Sequence, residues 1–225
     1  MRTWDVVEQL LTVAPSRRYL ELLTPSTSTE HTDHAAALAF DRAEFLAYRT
    51  PVYEPYGPRP DLPTVDHIDS MVPGEHFDIV FVDPWHSMDD SRAVLRWGFG
   101  RVALGGFLVV HDCWPGALEL LGDYPGRGAS WCGDTWRAFQ ELARAQVNSW
   151  CVINDDYGIG IIGPVVVPGV QSVVINTMSN PAAQWQWMSE HHGDPWLIAA
   201  DEWQARIGTL PGHSGNWVGS SGADR

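Results

Sequence analysis

Four residues able to do acid–base or metal chemistry stand at the ends of two apolar runs. Asp83 closes FDIVFVD (77–83), and His86 follows three positions on; His111 and Asp112 follow GGFLVV (105–110). Two carboxylates held close repel unless a cation or a proton lies between them. A hard divalent ion such as Mg²⁺ or Mn²⁺ accepts carboxylate oxygens, which makes Asp83 and Asp112 candidate metal ligands. Two imidazoles with a carboxylate suit Fe²⁺, Zn²⁺ or Mn²⁺ instead. Without an ion, His86 tuned by Asp83 is a candidate general base toward a hydroxyl. Neighbouring positions on a strand face opposite sides, so His111 and Asp112 enter one site only if the chain turns there. The structural alternatives are that Asp112 caps the loop after it and that His86 caps a helix start.

The elements that must position these groups read as strand–helix–strand. Between the two runs, Met88, Ala93, Val94 and Trp97 can form an apolar helix face, with Asp89, Asp90 and Arg92 turned outward. Such a unit makes the strands parallel, with both carboxyl ends opening on one side. In open α/β sheets that side holds the ligand. Gly105–Gly106 reads as a tight turn feeding the second strand.

Elsewhere, residues 3–14 read as a helix, RRYLELL (17–23) as a strand, and AAALAF (35–40) as a second buried strand ending at Asp41. Residues 42–64 are too rich in proline for a helix and read as a loop with an edge strand near Val52; 65–72 is a short helix candidate. TWRAFQELARA (135–145) is a helix with Asp134 at its N-cap. SWCVIND and YGIGIIGPVVV form an antiparallel hairpin, with Asp155 and Asp156 as turn residues. A possible strand QSVVIN and a helix after Pro181 complete the order. The expected division is an α/β domain over 1–167, a Trp-rich extension over 168–210 packed on it, and a flexible tail over 211–225. The fold class is a three-layer α/β architecture, mostly parallel with an antiparallel terminal hairpin.

Composition narrows the partners. With 14 basic against 28 acidic residues the formal net charge is −14, which disfavours nucleic acid and anionic membrane surfaces. No apolar run has the length of a membrane span, and the N-terminus lacks a signal-peptide pattern, so cytoplasmic residence is expected. Three cysteines without CxxC spacing support neither a disulfide framework nor a structural zinc site. Of the 12 tryptophans, Trp185, Trp187, Trp196, Trp203 and Trp217 follow residue 180, where they suit a packed extension or a homo-oligomer contact.

FDIVFVDPWHSMDDSRAVLRW, VALGGFLVVHDCWP, SWCGDTWRAF and DDYGIGII together resemble the class I S-adenosylmethionine-dependent methyltransferases. The resemblance is to a bacterial branch with FDxVFIDgxH, GGxivvHDcxP and WxGDxW elements, over about residues 15–165. It implies a Rossmann-like methyltransferase fold, S-adenosylmethionine as cofactor, and methyl transfer to a small hydroxylated metabolite or sugar, O-directed and with divalent-metal assistance. Carried over residue by residue, it places the cofactor at Glu21, Thr24, Ser26 and Asp41, with Asp41 at the ribose hydroxyls. It places Mg²⁺ or Mn²⁺ at Asp83 and Asp112, while the residues themselves put catalysis at Asp83, His86 and His111. The chain departs from the family in one turn: YLELLTPSTSTEH carries no glycine where the family has a glycine-rich loop. Two alternatives follow: a methyltransferase-fold protein without cofactor binding that uses the Asp/His cluster for metal-dependent chemistry, and a non-catalytic scaffold subunit working through its Trp-rich C-terminus. Cys113 stands where a third oxygen ligand is usual.

Overall fold

The computed structural model describes residues 1–14, 18–23, 45–49, 69, 73–125, 130–146, 149–164 and 180–210. Seven strands form one sheet: β1 (Tyr19–Leu23), β2 (Phe45–Arg49), β3 (Phe77–Asp83), β4 (Val102–Val110), β5 (Trp150–Ile153), β6 (Ile159–Ile162) and β7 (Leu197–Ile198). Their order is β2-β1-β3-β4-β6-β5-β7. Pairing is parallel throughout β2-β1-β3-β4 and between β5 and β7; only β6 runs against its neighbours. This is a Rossmann-like, mixed α/β sheet. Among the described residues the helices are α1 (Thr3–Val13), α2 (Met88–Gly100), α3 (Thr135–Ala143), α4 (Pro181–Glu190) and α5 (Ala200–Ile207), with one 3₁₀ turn at Leu118–Leu120.

β3 is central and buried along its whole length, as its unbroken apolar run requires of a strand covered on both faces. Two helices cover it from opposite sides. Tyr19 lies beside Ile79 in register, so both point to one face, and Trp4 of α1 packs edge-on against Tyr19 at 6.2 Å. Val80 and Val82 point the other way, under Gly98 of α2. Three layers result, with one continuous core.

The buried face of α2 is Ser91, Leu95 and Gly98, offset from the stripe expected from its larger side chains. Ala93 is exposed, and Met88, Val94 and Trp97 are half-buried. Small residues win the sheet-facing positions because they let the helix approach closely. Ser91 also spends its hydroxyl inward, against the Trp85 carbonyl at 3.1 Å and the Thr135 hydroxyl at 3.2 Å. On the outer side Arg92 bonds Glu141 of α3 at 2.9 Å, joining the two helices.

Three further readings are corrected. The Gly105–Gly106 pair lies inside β4 rather than in a turn before it, at a register shift between Phe77 and Ile79. The strand beside β1 is Phe45–Arg49, within the stretch read as a loop. Residues 35–40, Asp41 and Val52 lie outside the described residues, as do all but residue 69 of the short helix candidate, QSVVIN and 211–225. Asp134 takes the N-cap position of α3, but its side chain makes no cap bond; it accepts from Arg137 at 2.9 Å and from Gln184 of α4 at 3.2 Å.

Residues 180–210 join the same core. β7 extends the sheet beyond β5, Trp196 and Trp203 are buried, and the Trp203 indole donates to Gln9 of α1 at 2.8 Å. Trp187 stacks on Trp136 at 5.3 Å. Among the described residues no helix is long and apolar enough to cross a membrane.

Gly98 offers a direct test of the close α2 contact. A Cβ there would sit 3.3 Å from both Val80 and Val82 side chains. Gly98→Val is expected to lose about 1–3 kcal/mol of stability through overpacking, read as a lower urea midpoint, whereas Ala93→Val on the exposed face should be near neutral.

Candidate active site

Asp83 is the last residue of β3, level with Leu23 at the end of β1, so the carboxyl ends of both strands open on the same edge. The chain then turns through Pro84 and Trp85 to His86, one residue before Ser87 caps α2 by accepting from the Asp90 amide at 3.3 Å. Ser87, not His86, is therefore the cap. The His86 carbonyl is held from the far side by the Asp134 amide at 2.7 Å.

On the neighbouring strand, β4 ends at Val110, and the His111 amide still bonds the Val82 carbonyl at 3.0 Å. Asp112 then adopts a left-handed backbone, φ 61°. Asp tolerates this region better than most residues. The reversal supplies the turn that lets His111 and Asp112 face one space. Beyond it, Cys113 and Trp114 donate to the carbonyls of Gly158 and Tyr157, both at 2.8 Å, so the β5–β6 turn is pinned against the site. Gly158, at φ 88°, has room for no side chain: a Cβ would fall 2.0 Å from the Trp114 nitrogen.

The side chains converge. His86 Nε2 lies 2.8 Å from Asp112 Oδ2 and 3.4 Å from Asp83 Oδ1. His111 Nδ1 lies 3.2 Å from the same Asp112 oxygen and 3.8 Å from Asp83 Oδ1. Both aspartates are buried. Asp83, His86 and Asp112 each offer one ligand atom, all within 4.8 Å of one another. Two carboxylate oxygens and an imidazole nitrogen fit a divalent first-row ion, and the imidazole tilts the preference toward Mn²⁺ or Fe²⁺ over Mg²⁺. Cys113 is not part of this set. It is fully buried, with Sγ turned back to the Val110 carbonyl at 3.5 Å.

Electrostatics follow from the crowding. Burial opposes charge on both aspartates, yet the two imidazoles outweigh it and hold Asp83 and Asp112 below the usual carboxylate range. Burial likewise works against the imidazolium forms, but Asp112 first, and Asp83 with it, push His86 up to about 10 and His111 well above its usual value. Without an ion, the cluster is two carboxylates neutralised by two imidazolium groups.

A fifth residue joins that sequence patterns assign only to the hairpin turn. Asp156 Oδ2 lies 3.7 Å from His111 Nε2 and accepts from the Thr3 amide at 2.6 Å and the Thr3 hydroxyl at 2.8 Å. Consecutive acids at the carboxyl end of a strand were its only sequence signal. The start of α1 is thereby fastened to the back of His111.

Beside His86 runs a cleft of about 350 Å³, lined by Trp85, Tyr124 and Trp131 together with Asp89, Asp90, Asp123 and Asp134. Of the residues expected at the cofactor, only Glu21 is described. It is buried in β1, on the same sheet face as Asp83, and interacts with Tyr19. Thr24, Ser26 and Asp41 lie outside the described residues.

No family model matches the chain, and no curated protein does. Among solved structures it is similar to a Corynebacterium glutamicum protein from a structural-genomics programme, at 16% identity, over 75% of this chain and 82% of that one, with a TM-score of 0.40. It is also similar to a Listeria monocytogenes protein assigned provisionally to the class I S-adenosylmethionine-dependent methyltransferases. There the identity is 10%, over 87% of this chain and 70% of that one, with a TM-score of 0.36. Likenesses this distant leave the chemistry to the residues themselves.

The charge pairing predicts a pH signature in ion-free protein. Raised imidazole pKa values stabilise the fold fully below about pH 6.5, and that stabilisation disappears as pH rises through about 10 for His86. The lowered carboxylates act oppositely, their contribution being present above about pH 4 and lost on further acidification. Asp112→Asn keeps the left-handed turn while removing one charge. It is expected to cost about 3 kcal/mol at pH 7, as breaking a buried pair does, and clearly less at pH 10.5. Urea unfolding at the two pH values reads the difference; an equal cost at both would contradict the pairing.

Proposed function

We propose that this chain is an S-adenosylmethionine-dependent methyltransferase that methylates a hydroxyl of a small molecule, assisted by a divalent ion at Asp83, His86 and Asp112. The observation that carries the reading is the convergence of these three side chains at the carboxyl ends of two adjacent parallel strands. The GG-strand-HD and GDTW elements of the sequence supply the methyl-transfer half of it.

Methyl transfer to oxygen asks for little: the acceptor held in line with the methyl group, and its proton removed. The ion, when bound, lowers the pKa of a coordinated hydroxyl and fixes its direction. The remaining tasks belong to the chain. Asp83 and Asp112 set the charge of the pocket. His111 stands against the same carboxylates, with Nδ1 3.2 Å from Asp112, and once free of its proton would take one from the acceptor. Asp156 and Thr3 hold the His111 ring from behind. The cofactor would lie along the edge beyond Leu23, over Glu21; Thr24, Ser26 and Asp41, the other residues expected at it from the sequence, lie outside the described residues.

A second reading is favoured by one specific feature, the glycine-free TPSTSTEH turn after β1. It keeps the metal cluster and drops the adenosyl cofactor, leaving metal-dependent chemistry on the same sheet edge.

Two titrations separate the readings. Calorimetry with S-adenosylmethionine and S-adenosylhomocysteine is expected to show binding, and Mn²⁺ followed by electron paramagnetic resonance is expected to bind at one site. Asp83→Ala should lower Mn²⁺ affinity by at least about tenfold, in line with losing one ligand or its support. Mn²⁺ binding without either adenosyl compound would move the assignment to the second reading. Binding of neither would end both.

A further inference from the structure

The cleft beside His86 has a composition that selects its ligand. Its aromatic wall is three mutually inclined rings: Trp85 to Trp131 at 5.1 Å, Trp85 to Tyr124 at 5.2 Å, and Tyr124 to Trp131 at 5.3 Å. The wall continues into the site, since Trp131 also packs on the His86 ring at 5.1 Å. Trp131 is fixed in place by its indole bond to the Gly122 carbonyl at 2.8 Å.

Around these rings stand four carboxylates, and no lysine or arginine lines the cleft among the described residues. Asp89 and Asp134 each have an arginine nearby, at 3.3 Å and 2.9 Å. Asp90 accepts the Ser87 hydroxyl at 2.5 Å. Asp123 is exposed and forms no ion pair with another described residue. At the His86 end, the buried Nδ1 has no hydrogen-bond partner among the described residues. Aromatic faces and surplus negative charge attract cations and repel anions. His86 itself lines the inner end of the cleft.

We propose that this cleft binds a hydroxylated ammonium compound, its cationic nitrogen against Trp85, Tyr124 and Trp131 and its hydroxyl toward His86. The proposal rests on the methyl-transfer reading in that the bound compound is the acceptor class.

Choline and its uncharged isostere 3,3-dimethylbutan-1-ol differ only in charge and make a matched pair of probes. In saturation-transfer and titration NMR on the full chain, choline is expected to bind about tenfold more tightly than the neutral alcohol, the ratio a partly desolvated cation–π contact gives. Trp85→Leu should erase most of that preference. Asp123→Asn, an exposed change that leaves packing intact, should weaken choline about twofold to threefold at low salt and leave the alcohol unchanged. Equal binding of the two probes, no binding of choline, or full choline affinity in a folded Trp85→Leu variant would each overturn the proposal. Mn²⁺ and S-adenosylhomocysteine titrated into the same preparation keep its failure separate. Their retention without choline binding sinks only the ligand class, whereas choline binding without them sinks methyl transfer and leaves the cleft.

Discussion

Mutual neutralisation of buried charge is the constraint on which the site and its surroundings depend. Asp83 and Asp112 cannot both ionise in the interior unless positive charge accompanies them, and His86 and His111 supply it. Everything nearby serves that arrangement. The left-handed turn at Asp112 brings two consecutive side chains to one space. The Asp134 amide fixes the backbone of His86, and Asp156, itself tied to Thr3, holds His111 from the rear. A divalent ion at the same carboxylates, as proposed above, would take the place of the imidazolium charge.

The parallel sheet makes that arrangement possible. β3 and β4 run side by side in the same direction, so their carboxyl ends deliver four functional groups to one edge without any long loop. The two valines of β3 beneath Gly98, and the Tyr19–Trp4 contact on the opposite face, keep β3 in place between its layers. Rigidity of the strand ends then fixes the distances between donor atoms.

Much of this was legible in the sequence, and the exceptions have physical causes. The strand ends at Asp83 and Val110 are marked by apolar runs that stop at ionisable residues, and the strand–helix–strand order between them follows from periodicity. The buried face of α2 departs from the stripe of Met88, Ala93, Val94 and Trp97 that hydrophobicity points to, because close packing on a sheet selects Ser91 and Gly98 beside Leu95. The role of Asp156 was hidden because a turn acid is ordinarily explained by the turn alone; only its distance to His111 reveals more. That His111 and Asp112 share a space depends on one backbone dihedral, which alternation along a strand argues against. The glycine pair in β4 was read as a turn because a register shift inside a strand leaves the same residues in the sequence.

β7 carries a consequence beyond the site. Without it the four-residue β5, rich in Trp150, Val152 and Ile153, would present an apolar edge with open backbone groups, a template for pairing with other molecules. A strand of only two residues pairs with Val152 and Ile153 on that edge and, being so short, offers little template of its own. With Trp196 and Trp203 buried in the core, the C-terminal segment completes the sheet edge as well as the packing beneath it.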